Sequence, residues 1–229
     1  MAKTAHFGPE LFTFLLDLSR NNNREWFQRN KPRFESEVRT PLQRFIADFS
    51  PHLLKMSPHY VADPRPVGGS LLRMNRDTRF AADKSPYKTM AGALFRHKQG
   101  RTVPSPGILL HLEPGRCFAG IGIHSPDAQT LATIRGHIAS DPEGWKAAVS
   151  GRAFHSTCTF MPDSLQRPPK GYPADHPCIE DLKRKHYCVT APFTDAEVLA
   201  PDFMSRFART CATANDLMQY LTRAVGLPW

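Results

Sequence analysis

The stretch Gly107-Ile108-Leu109-Leu110-His111-Leu112-Glu113-Pro114-Gly115-Arg116-Cys117-Phe118-Ala119-Gly120-Ile121-Gly122-Ile123-His124 decides the fold. Glu113-Pro114-Gly115-Arg116 is a turn signal, with proline at the second position and glycine at the third. Its flanks alternate with the two-residue period of a strand. One face carries Ile108, Leu110, Leu112, Cys117, Ala119, Ile121 and Ile123, all apolar, and is read as the core face. The other carries Leu109, His111, Glu113, Arg116, Phe118 and His124 together with Gly107, Gly120 and Gly122. Glycine weakens a strand, so three on one face point to close approach by something else. A ligand groove and a helix packed tightly over the glycines both fit. A proline–glycine type II turn matches hairpin twist poorly, which leaves the register open to a bulge.

Further strands are expected at Ser70–Asn75, Thr89–His97 and His186–Ala191. Helices are expected at both ends of the chain. Residues 9 to 18 start with Pro9, which suits the first helical position, and carry an apolar face. Asn21-Asn22-Asn23 breaks this helix, and Asn22 with Glu25 has the spacing of a capping box. The second helix starts near Arg24 and is expected to kink or divide at Pro32 and Pro41. Ser125-Pro126 and Asp141-Pro142 read as caps of two short helices. A helix near Pro177–Lys185 and a last one from about Pro201 to Ala224 complete the chain. The pattern predicts an α+β fold, with a mainly antiparallel central sheet flanked by N-terminal and C-terminal helices, in one domain over residues 1–229.

The chain of 229 residues is 41% hydrophobic and 22% charged, which excludes wholesale disorder and fibrous classes. No window approaches the roughly 18 apolar residues of a membrane span. Met1–His6 lacks an apolar leader, so no signal peptide is expected. The cysteines are Cys117, Cys158, Cys178, Cys188 and Cys211, an odd number with no C-x-x-C pair. They suit a reducing, cytoplasmic location.

Charge is the strongest functional signal. The net charge is +9, and residues 65–101 hold nine basic against two acidic residues, so this segment supplies +7 of it. Such a local excess attracts phosphates, nucleic acid or acidic surfaces. Arg73, Arg76, Arg79, Lys84, Tyr87 and Lys88 are the candidate ligand-binding residues: guanidinium forks and ammonium groups for an anion, and a phenol to stack or donate. Asp77 and Asp83 would orient the arginines. The same residues equally suit a salt-bridge network that fixes a loop. The weak catalytic candidates are Asp77, His111 and Glu25. No phosphate-binding loop, G-x-S-x-G elbow or H-x-x-x-H metal motif is present. The motifs assign no metal ligand, and the sequence names no cofactor, reaction or oligomeric state.

Four blocks carry a resemblance. They are Asn21-Asn22-Asn23-Arg24-Glu25-Trp26-Phe27, Arg76-Asp77-Thr78-Arg79-Phe80, Asp83-Lys84-Ser85-Pro86-Tyr87-Lys88-Thr89, and Arg167-Pro168-Pro169-Lys170-Gly171 with Asp175-His176-Pro177. In this order they resemble the domain of unknown function family 2461 over roughly Phe7 to Tyr220. The resemblance implies a widespread bacterial family, found also in fungi, with no established activity. It supplies no catalytic residues.

The sequence therefore supports binding of a phosphorylated or other anionic ligand in a basic pocket, and phosphoryl-transfer or phosphodiester chemistry if a reaction occurs there. Two alternatives stand beside it. One is a nucleic-acid-binding module with a basic stripe including Arg96, Lys98 and Arg101. The other is an interaction protein whose basic loop docks an acidic partner. The Arg167–Gly171 loop near His176 is a candidate lid over the basic site. No membrane partner is expected.

Overall fold

The structure, a computed structural model, describes residues 5–79, 82–100 and 102–229. Phe80 of the second sequence block and Arg101 of the expected basic stripe lie outside the described residues. Helices α1 (Pro9–Arg20), α2 (Arg24–Arg29) and α3 (Lys31–Arg33) lead into a π-helical turn at Phe34–Arg39 and then α4 (Thr40–Met56). The sheet strands are β1 (Tyr60–Val61), β2 (Ala91–His97), β3 (Gly107–Leu112), β4 (Cys117–Ile123), β5 (Thr159–Phe160) and β6 (Tyr187–Phe193). Helices α5 (Ala128–Ser140), α6 (Pro142–Val149) and α7 (Arg152–Thr157) lie between β4 and β5 in the chain, and α8 (Ile179–Leu182) precedes β6. Helices α9 (Asp195–Leu199), α10 (Phe203–Thr213) and α11 (Asn215–Ala224) close the chain. The fold is α+β, with one antiparallel sheet in the order β1-β2-β3-β4-β6-β5.

The hairpin alternation holds residue by residue. Ile108 pairs with Ile121 and Leu110 with Ala119, and the seven expected core-face residues are all buried. Helices close over this face. Phe49 of α4 packs on Phe95 at 4.7 Å, Phe203 of α10 on Phe193 at 5.3 Å, and Trp145 of α6 on Tyr187 at 5.7 Å between ring centroids. The turn closes with the Arg116 N–H donating to the Glu113 carbonyl at 2.8 Å, and Gly115 takes φ +74°. No bulge enters the register from Gly107↔Gly122 to His111↔Phe118. The turn is held from outside, because the Gly115 N–H donates to the Asp195 carboxylate at 3.0 Å.

Several expectations are corrected. Ser70–Asn75 forms no regular strand, only the isolated bridges Leu71↔Ala93 and Asn75↔Tyr87. Their offsets differ, so the segment cannot run a continuous ladder along β2. Asn23, not Asn22, caps α2, its side chain accepting from the Trp26 N–H at 2.9 Å. Asp127, not Ser125, caps α5. The second helix does divide at Pro32 and Pro41, as expected, and both sit in the first turns of α3 and α4, where a missing N–H costs little. The chain passes between them by the wider turn, with the Thr40 N–H reaching the Glu35 carbonyl. The last helix is broken at Ala214.

The glycines on the open face divide by cause. Gly122 has φ +123°, and a Cβ there would lie 2.1 Å from the Tyr187 carbonyl oxygen. At Gly120 a Cβ would meet nothing nearer than the Leu109 Cβ at 3.5 Å, an ordinary contact. Gly122→Ala is therefore expected to cost more than about 1 kcal/mol and to lower the melting temperature by more than roughly 2 °C. Gly120→Ala should leave it within about 2 °C of the parent. Calorimetry of the two variants checks this, and equal losses would contradict it.

Candidate functional site

The basic segment is tied to the N-terminal helices by one side chain. The Asn22 Nδ2 donates to the Tyr87 carbonyl at 2.9 Å, and the Tyr87 N–H donates to the Asn22 Oδ1 at 3.1 Å. The amide thus pairs with Tyr87 as a neighbouring strand would. The Tyr87 ring stacks on Phe27 at 4.1 Å and is 6% exposed. It therefore belongs to the core and does not edge a pocket, a correction to its expected binding role.

The arginines of the segment meet carboxylates close in sequence. Arg76 is ion-paired and hydrogen-bonded to Asp83, and Arg79 to Asp77 at 2.7 Å. The Lys84 ammonium donates to the Thr78 carbonyl at 3.0 Å. The Ser85 hydroxyl and N–H both donate to Asp83, and with Arg76 they hold its carboxyl down at about 2. The Arg79 guanidinium and backbone lower Asp77 similarly. These are the contacts of a salt-bridge network that shapes a loop. Two cations differ. Arg73 and Lys88 make no ion pair among the described residues, and desolvation and then the charge of Arg73 lower the Lys88 pKa.

The three acid–base candidates are dispersed. Glu25 is exposed and pairs with Arg29 at 3.0 Å, while Asp77 serves Arg79. His111 sits on the open sheet face beside Glu113 at 3.3 Å, and burial lowers its pKa. No hydrogen bond or ion pair among the described residues links these three. The 167–178 loop makes its own turns, with the Tyr172 N–H on Pro169 and the His176 N–H on Pro173, and among the described residues it has no hydrogen bond to the basic segment.

The cavity lies on the other side of the sheet. A groove of about 880 Å³ runs over the face opposite the helices, and every residue lining it belongs to a strand or a loop. Leu94, Leu109, Phe118, Gly120, Thr190 and Pro192 form its floor, from β2 across to β6. Arg96 and Arg116 bring cations to it, and among the described residues no carboxylate lines it. Among these residues no helix covers the outward glycines: Gly107, Gly120 and Gly122 line this open groove, and at Gly122 the Tyr187 carbonyl also approaches too closely for a side chain. Phe118 stacks on His111 at 4.4 Å, with the Arg116 guanidinium 5.9 Å from its centroid. At the far end of β4, His124 stacks on His186 at 4.7 Å. Burial, and then His186, lower the His124 pKa, which favours a neutral ring. Cys117 and Cys188 line the groove, but burial pushes their thiols up to about 12 and about 11, so neither supplies a thiolate near neutral pH.

Sequence reasoning registered half of this site. Gly107, Leu109, Arg116, Phe118, Gly120, Gly122 and His124 were legible as one face of a hairpin. Leu94 and Thr190 were not, because they come from strands remote in sequence whose alternation is shared by any half-buried strand, and Met161 lies just beyond β5.

An α+β chain with one sheet face left open as a groove is the class that fold and site define. The chain matches the family model described as "Conserved hypothetical protein (DUF2461)" over residues 10–220, and it belongs to that family. No curated protein and no solved structure matches it.

Asn22→Ala leaves both backbone groups of Tyr87 without their side-chain partner. It is expected to cost about 2 kcal/mol and to lower the melting temperature by roughly 4–8 °C. Circular-dichroism melting checks this, and a shift below about 1 °C would show that the amide is not a structural tie.

Proposed function

We propose that this protein binds an anionic ligand with a flat, apolar body on the open face of its sheet. The observation that carries the reading is the groove itself: a glycine- and leucine-floored surface with arginine on it and, among the described residues, no carboxylate lining it. Its volume falls in the upper part of the range for small-ligand sites, about 300–1,000 Å³. An apolar floor desolvates the body of a ligand, while guanidinium forks bind phosphate or carboxylate at two points. A nucleoside phosphate has both parts. We assign binding and no reaction, since Glu25, Asp77 and His111 stand apart. We place the protein in the cytoplasm, in keeping with five free thiols. Among the described residues no helix is long and apolar enough to cross a membrane.

A thermal-shift titration with uridine monophosphate, uridine and inorganic phosphate at matched ionic strength tests the groove. The nucleotide at about a hundred times its Kd should stabilise by roughly 2.7 kcal/mol, or about 5–10 °C. Uridine and phosphate alone should do less. Gly120→Leu, which fills the floor, and Arg116→Ala should each reduce the response. A response to phosphate equal to that of the nucleotide, or one unchanged in Gly120→Leu, would overturn the reading.

A further inference from the structure

We propose that the groove is one part of a longer track that takes a single-stranded nucleic acid. The inference rests on the groove as an anion-binding seat and adds the class of ligand. Its first support is continuity. A second depression, of about 320 Å³, shares Leu94 and Arg96 with the groove and continues past the β2 edge to Val61, Ser70 and Lys98. The track therefore crosses from β6 over β4, β3 and β2 to β1. Four strand spacings are roughly 19 Å, room for about four nucleotides, the small end of site sizes on sheet-based binders.

Charge complementarity supplies the second support. Arg116, Arg96 and Lys98 are exposed along this path, and Arg96 and Lys98 have no carboxylate partner among the described residues. Arg116 lies 3.8 Å from Glu113, a loose contact that a phosphate can replace. Arg65 also borders the second depression, but its guanidinium is committed to Asp63, which lies there too. One mononucleotide phosphate needs one such cation; a row of them suits a repeating backbone.

The floor excludes a duplex. Double-stranded nucleic acid turns its bases inward, and reading it takes a helix or ribbon that enters a groove. Here every described residue lining the surface belongs to a strand or a loop, so no helix is offered to a duplex groove. The surface offers peptide planes at Gly107 and Gly120, the Phe118 ring with His111 stacked against it, and the His124 ring stacked on His186. Splayed bases stack on such surfaces without regard to sequence. The hydroxyls of Ser105, Thr159 and Thr190 add hydrogen-bonding groups that any base can use.

Fluorescence anisotropy with labelled oligouridylate and oligothymidylate of about twelve nucleotides, with uridine monophosphate as competitor, tests the track. The strand should bind at least about tenfold tighter than the mononucleotide. Its log–log salt slope should be about −2, from three phosphates at about −0.7 each. Arg96→Ala with Lys98→Ala, both at exposed positions, should weaken the strand at least about tenfold and move the slope to about −0.7, with a smaller loss for the mononucleotide, which meets Arg96 but not Lys98. Gly120→Leu should weaken both ligands. A strand that binds no tighter than the mononucleotide, a duplex that binds as well as the strand, or a slope unmoved by the double substitution would each overturn the track and leave the anion seat standing. Failure of strand and mononucleotide alike would remove both.

Discussion

The facing of Ile108 with Ile121 and of Leu110 with Ala119 is the constraint on which the rest of the structure depends. Strand side chains alternate with period two, so a register fixes a whole face at once, and a slip of one residue would send every core side chain to solvent. Each buried leucine or isoleucine contributes roughly 1.5–3 kcal/mol relative to exposure, so the slipped pairing is far out of reach. The helices then have one apolar face to cover. Phe49, Phe203 and Trp145 come to it from three of them. The opposite face is left with glycines, a few half-buried side chains and two arginines. The groove is thus the remainder of the folding solution, and its flat floor follows from the same alternation that builds the core.

The basic segment has a different part in this account. Its density of charge suggests a pocket, yet its acids sit two to seven residues from its arginines and satisfy them locally. The reciprocal bonds of Asn22 with the Tyr87 backbone, and the Phe27–Tyr87 stack, fasten the loop to the helical layer. Three of the sequence blocks that mark the family therefore meet in space as one junction. Arg96, from the same stretch of sequence, is carried by β2 to the other side of the sheet and joins the groove.

The legible parts of the fold were those written in local periodicity. The hairpin, its buried face and its outward glycines could be read because both strands and their turn are contiguous. The strand at Tyr187–Phe193 and most helices were readable for the same reason. The misreadings share a cause as well. Asn22 and Asn23 are chemically equal as caps, and only the approach of Tyr87, 65 residues away, assigns one to the helix and the other to the loop. Ser70–Asn75 has strand-like residues but faces two partners at different offsets. The sign and number of charges near residues 73–88 were plain, whereas their pairing is a property of the loop's path. The groove needed five strands at once, and no single window of sequence holds them.

The central claim is that ligand binds the open sheet face and that the Arg76–Lys88 loop is chiefly structural. Backbone amide shifts recorded by NMR during titration with uridine monophosphate test it most directly. The account predicts that the perturbed amides cluster at Leu94, Arg96, Leu109, Phe118, Gly120 and Thr190, with Arg76, Lys84 and Lys88 unmoved. Perturbations confined to Arg73, Arg76, Lys84 and Lys88, with the sheet face silent, would contradict it.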